Sequence, residues 1–153
     1  MKNLQQWCDE YAVCHQNKTN KIFHYVCVPA IFWSVLAILW WLPFPSALQF
    51  YPYVNWCTLF MVPALAFYTL LSIPLGLIML AISSLCCATF VMIQQSWGNQ
   101  ALIVSAISIF VVAWIGQFIG HHYEGKKPAF FKDVQFLLIG PIWVIVALKN
   151  KKS

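Results

Sequence analysis

Four apolar runs dominate the chain, from about Ile22 to Leu42, Tyr53 to Leu71, Ile73 to Ile93 and Ala101 to Gly120. An α-helix rises about 1.5 Å per residue and the hydrocarbon of a bilayer is about 30 Å thick, so each run qualifies as a membrane-spanning helix. The breaks between them carry the right punctuation: a proline-rich segment from Pro43 to Pro52, Ser72 to Gly76 around Pro74, and a polar stretch from Gln94 to Gln100. Proline lacks the amide hydrogen that a helix needs and disfavours a helical residue before it. Trp40, Trp41, Tyr51, Tyr53, Trp56 and Trp97 gather near the ends of the runs, where aromatic rings with a polar handle meet the membrane interface.

Two further segments complete the pattern. From Asn3 to Gln16, the positions Leu4, Trp7, Cys8, Tyr11 and Cys14 or His15 recur at helical spacing and predict an amphipathic surface helix. From Val134 to Leu148 a fifth apolar run contains Gly140-Pro141 near its middle, consistent with a short span or a re-entrant hairpin. The fold expected is all-α: a polytopic transmembrane helix bundle of about four spans, with an N-terminal surface helix and a short C-terminal re-entrant or interfacial segment. Residues 1–153 are expected to form a single integral membrane domain.

Composition strengthens this picture. The chain is 61% hydrophobic and 8% charged, against roughly 25% charged residues in an ordinary soluble domain. Every Asp, Glu and Lys lies between Lys2 and Lys21 or between Glu124 and Lys152, so the stretch from Ile22 to Tyr123 carries no formal charge. The net charge of +5 comes from lysines without any arginine, placed beside the apolar runs rather than in a stripe with aromatics; contact with lipid headgroups explains this better than nucleic acid, and no nucleic-acid partner is expected. Lysines precede the first span, follow the fourth and end the chain, so the positive-inside tendency puts all three clusters, and both termini, on the cytoplasmic side of a multi-pass protein of a bacterial inner membrane or the endoplasmic reticulum. That bias favours a last segment that does not cross. No cleavable signal is visible, so the first span is expected to remain as an anchor. The six cysteines show no CxxC spacing and read as small buried hydrophobes.

This topology brings the four histidines, His15, His24, His121 and His122, to one membrane face. Gln117, His121 and Glu124 follow at four and three residues, on one face of a helix, and Asn20 and His24 repeat the four-residue step on the first span. One helix can thereby offer a metal both an imidazole nitrogen and a carboxylate oxygen. Two or three histidines with a carboxylate lean toward non-haem Fe(II), with Zn also accommodated. Isolated interfacial histidines are usually satisfied by headgroups or carbonyls, but several with a carboxylate on one face favour a metal site. His122 lies about 100° around the helix from His121 and is accessory. Gly116 and Gly120 form a GxxxG that permits close helix packing. Lys18, Lys21, Lys126 and Lys127 can attract an anionic headgroup or carboxylate. No nucleophile elbow, phosphate-cradling loop or dinucleotide fingerprint is present.

The segment from Tyr11 through His15, Asn17, Asn20 and His24 to Pro29, together with Trp114 through Gln117, His121 and Glu124 to Pro128-Ala129, resembles the membrane 2-hydroxy fatty acid dioxygenases of fungal α-oxidation and their bacterial relatives. The resemblance extends over nearly the whole chain. It implies an Fe(II)-dependent oxidoreductase that uses O2 to remove one carbon from a 2-hydroxy fatty acid at the cytoplasmic membrane face. It also implies His15, His24 and His121 as metal ligands, with Glu124 at the family's acidic position; Tyr11, Asn20, Gln117 and Tyr123 are candidates for supporting catalytic residues, and Lys18, Lys21, Lys126 and Lys127 for attracting the substrate carboxylate. A different lipid-modifying metalloenzyme is a competing reading, although His-rich di-iron centres need more than four histidines. A non-enzymatic membrane protein that binds lipid or a partner is another.

Overall fold

The computed structural model describes residues 3–13, 15–48, 51, 53–125 and 135–150, the last segment with side chains from 138 to 147. Among the described residues there are six α-helices and no strand: α1 (Leu4–Ala12), α2 (Lys18–Trp41), α3 (Trp56–Leu71), α4 (Ile73–Trp97), α5 (Asn99–Glu124) and α6 (Gln135–Asn150). Three of them, α2, α4 and α5, are long and apolar enough to cross a membrane. No more than 33% of their most apolar windows is buried within the protein, so their outer faces are apolar surface suited to lipid rather than water. The second run forms only the 16 residues of α3, about 24 Å of helix and shorter than a full hydrocarbon crossing. It starts at Trp56 rather than Tyr53 because Asn55 caps it: the Asn55 side chain accepts from Thr58 N at 3.1 Å while Thr58 Oγ1 accepts from Asn55 N at 3.0 Å.

The chain divides into two compact units. The first comprises residues 1–32 and 111–153. It holds α1, the beginning of α2, the end of α5, and α6. Asn3 and Gln6 form a capping box that starts α1, and Trp7, Cys8 and Tyr11 are its buried face, as the spacing predicts. The helix ends at Ala12, short of the Gln16 expected. His15 N turns back to Ala12 O at 3.0 Å, and the Gln16 side chain takes the same carbonyl at 2.6 Å. Asn17 Oδ1 then accepts from Thr19 N at 2.8 Å and caps α2. Polar side chains that bond the local backbone thus end one helix and open the next, which leaves His15 in a short connector.

Within the same unit, α5 lies close against α2 because Gly116 and Gly120 lack side chains. A Cβ on Gly116 would sit 2.6 Å from Cys27 Sγ, and one on Gly120 would sit 2.7 Å from Asn20 Oδ1. The GxxxG is a packing seam. The last apolar segment is a continuous helix through Gly140 and Pro141 rather than a hairpin folded at them. Gly140 has another use: a Cβ there would stand 3.3 Å from Val28 Cγ1 and 3.4 Å from the Tyr11 hydroxyl, so α6 packs closely on α1 and α2 at this point.

The second unit, residues 33–110, contains the α3–α4 hairpin. Ser72 ends α3 in an extended conformation and Pro74 opens α4. Beyond the turn Gly76 lies directly against Thr69. Trp33 and Trp40 donate to Thr89 Oγ1 at 2.8 Å and Gln94 Oε1 at 3.0 Å, which satisfies two indole N–H groups in otherwise apolar packing around Leu36, Met79, Phe90 and Leu102. Gly98, with φ at 83°, separates α4 from α5.

Candidate metal centre

Three elements of the first unit each deliver one histidine. The connector after α1 supplies His15, the second turn of α2 supplies His24, and the last turn of α5 supplies His121. Their exposures are 1%, 2% and 4%. One ring nitrogen from each lies within 4.8 Å of the other two, and the ring centroids of the three pairs are 4.2, 5.2 and 4.9 Å apart. Buried imidazoles in such a group need partners.

Hydrogen bonding fixes how two of these rings present themselves. His15 Nδ1 lies 2.6 Å from Tyr11 O, and His24 Nδ1 lies 2.9 Å from Asn20 O. Carbonyl oxygens only accept, so Nδ1 carries the proton in each ring and Nε2 is left with a lone pair. The two Nε2 atoms are 2.8 Å apart. Two lone pairs at that separation repel unless a cation joins them. A proton is one candidate, but burial pulls the His15 pKa down to about 4, against the opposing pull of the Tyr11 carbonyl. A metal ion is another, and the three histidine nitrogens are grouped closely enough to hold one. Imidazole sets of this kind suit Fe, Zn, Cu or Ni, and the Nδ1–carbonyl bonds are the orienting contacts typical of metal-binding histidines.

Backbone and side-chain N–H groups take up the Glu124 carboxylate. Its Oε1 accepts from Gln16 N at 2.8 Å, and its Oε2 accepts from Asn17 N at 2.8 Å and Asn20 Nδ2 at 3.1 Å. The carboxylate therefore sits at the N-terminus of α2, where backbone N–H groups point outward and favour negative charge. It ties the end of α5 to the connector that carries His15. Asn17 Nδ2 adds a bond to Tyr123 O at 3.1 Å.

The other anticipated residues divide clearly. Tyr11 stacks on His15 with centroids 4.2 Å apart and planes 2° from parallel. Asn20 and Gln117 are buried. Tyr123 is 59% exposed, so its ring is not part of the buried group, and His122 is exposed beside it. Lys18 is exposed, while Lys21 is half-buried and close enough to lower the His15 pKa slightly. Lys126 and Lys127 lie outside the described residues.

Sequence reasoning missed Trp143. This α6 side chain places its ring 5.2 Å from His15, 5.4 Å from Tyr11, 6.3 Å from His24 and 6.0 Å from Tyr25. It forms a buried aromatic wall over the histidines. The available signal was Gly140-Pro141-Ile-Trp143, a small residue one turn before a large aromatic in a run too short for an ordinary span.

The family model described as 2-hydroxy-palmitic acid dioxygenase Mpo1-like matches residues 1–152. The chain belongs to the Mpo1-like family. Among curated relatives of this Mpo1-like protein, 2-hydroxy-palmitic acid dioxygenase MPO1 of Saccharomyces cerevisiae is 27% identical over 137 residues, covering 88% of this chain and 73% of the yeast protein. No solved structure gives a significant match. The match to the family spans both halves of the histidine group, since it begins before α1 and ends after α6.

The depressed His15 pKa has a measurable consequence for the metal-free Mpo1-like protein. Its folded value, about 4, lies below the ordinary 6.5. The unfolded chain therefore binds more protons between these values, and native stability falls as pH drops through that window. Above pH 6.5 the contribution is complete. The expected loss is about 3 kcal/mol from this group. Denaturant unfolding of chelator-treated protein should show it, and should show less of it in His15→Asn. Parallel pH profiles for the two proteins would rule the effect out.

Proposed function

We propose that this protein is a multi-pass membrane dioxygenase that uses Fe(II), held by His15, His24 and His121, to remove one carbon from 2-hydroxy fatty acids at the cytoplasmic face. The observation that carries this reading is the opposed pair of Nε2 atoms 2.8 Å apart in a buried group of three histidines. Membership of the Mpo1-like family and the printed activity of the yeast relative supply the substrate class.

Conversion of R-CHOH-COOH and O2 into R-COOH, CO2 and H2O balances in atoms, and its four electrons are the number one O2 accepts. No other reductant or oxoacid is needed. Bound iron would supply O2 activation and a chelation point for the substrate's 2-hydroxyl and carboxylate. The chain's own residues do the rest. Tyr11 and Trp143 wall the histidines from water, which strengthens electrostatic contacts inside. Lys21, and Lys18 beside it on the outer surface, draw the substrate carboxylate to the membrane face. The acyl chain extends along the apolar helices, so the lipid-like substrate is held with its polar end near the centre. The lysine distribution supports a cytoplasmic position for that face.

Detergent-purified protein loaded with Fe(II) under anaerobic conditions and given 2-hydroxy-palmitic acid provides the test. Product one carbon shorter should form only after O2 is admitted, with one CO2 released per O2 consumed. Continued turnover without O2, or undiminished turnover after complete metal removal, would contradict the proposal.

A further inference from the structure

Gln117 carries a buried side-chain amide on α5. Its side chain is 4% exposed, and its Nε2 makes no hydrogen bond among the described residues. A buried donor in this condition is costly and rare. Gln117 precedes His121 by four residues on the same face of α5. It lies between Gly116 and Gly120, the two positions where α2 comes close enough to touch, through Cys27 and Asn20 respectively. His24 lies between those two α2 residues in sequence. The amide is therefore set one helical turn from His121 toward the apolar length of α5, whereas Lys21 stands on the opposite, polar side.

This placement matches the chemistry of a 2-hydroxy acid entering with its carboxylate toward the lysines and its chain toward the apolar helices. The atom one carbon deeper than the carboxylate is C2, and its substituent oxygen is the acceptor that Gln117 lacks. Resting on the proposed function, we propose that Gln117 Nε2 donates a hydrogen bond to the substrate's 2-oxygen and makes the site select 2-hydroxy acids over unsubstituted fatty acids. An unsubstituted acid leaves the buried amide unpaired, which is the most effective way for a site to reject an analogue lacking a polar group.

The Gln117→Leu variant separates this role from a structural one. Leucine fills similar volume and removes the unpaired donor, so thermal stability of the ligand-free protein should hold or rise. A structural amide would show the opposite. Under anaerobic conditions with Fe(II) bound, affinity for 2-hydroxy-palmitic acid should fall about 10- to 100-fold, and affinity for palmitic acid should be unchanged. Gln117→Met serves as the second variant, with the same expectation. Undiminished preference for the 2-hydroxy acid in either variant would overturn the assignment, as would a large loss of ligand-free stability in both with the preference intact. If the wild-type protein itself fails to bind 2-hydroxy-palmitic acid more tightly than palmitic acid, the proposed function fails and takes this inference with it.

Discussion

His24→Ala and His121→Ala are each expected to yield folded protein that no longer retains stoichiometric iron and that turns over 2-hydroxy-palmitic acid at least about 1,000-fold more slowly. Each substitution removes one of three buried nitrogens that converge within 4.8 Å, and a two-nitrogen remnant holds a divalent ion weakly. For His24→Ala the structure makes a second, less obvious prediction. In the metal-free protein its Nε2 lies 2.8 Å from that of His15, and the two lone pairs repel when Nδ1 of each ring carries the proton. Truncation relieves that repulsion while it opens a cavity, so metal-free stability should change by no more than about 1–2 kcal/mol, small for loss of a buried ring. Stabilisation by iron should disappear. Binding to the native state alone contributes about 2.7 kcal/mol at a ligand concentration 100-fold above Kd, so the difference is measurable by unfolding with and without Fe(II). Retention of both iron and turnover in either variant would remove the histidines from the centre.

The helices were legible because their signals are long-range averages: apolar runs, prolines at the breaks and glycines at the seam. α2, α4 and α5 follow directly from those signals, and Gly116 and Gly120 pack as their spacing implies. Ends were less legible because single polar side chains decide them. Asn55 shortens α3 to 16 residues, and Gln16 and Asn17 stop α1 before the turn that would have carried His15. Convergence of His15, His24 and His121 was expected from helical periodicity and an assumed even number of crossings, and the three rings do meet. Trp143 was less legible: Gly140 one turn before it marks a close contact, but not that the partner is α1 near the Tyr11 hydroxyl.

Glu124 shows the same division between residue type and role. Its spacing from His121 suits a metal ligand, yet its two oxygens already accept three N–H groups from Gln16, Asn17 and Asn20. Glu124→Ala leaves those donors to water and frees the connector that positions His15. The expected result is a loss of about 1–2 kcal/mol in stability, since each such bond is worth about 1 kcal/mol net. Iron affinity should fall about 10- to 100-fold, the effect typical of removing a group that orients a ligand. Glu124→Gln retains an acceptor oxygen and should lie between Ala and wild type. Amide hydrogen exchange supplies the readout that distinguishes a clasp from a ligand. In metal-free Glu124→Ala the backbone N–H groups of Gln16 and Asn17 should exchange faster than in wild type, because their acceptor has gone whether or not an ion is bound. Unchanged exchange at both positions, combined with lost iron, would return Glu124 to the coordination sphere. Acceleration at both would establish that the carboxylate acts by holding His15 in reach of His24, so that this centre is assembled by closing the N-terminal connector onto the end of α5.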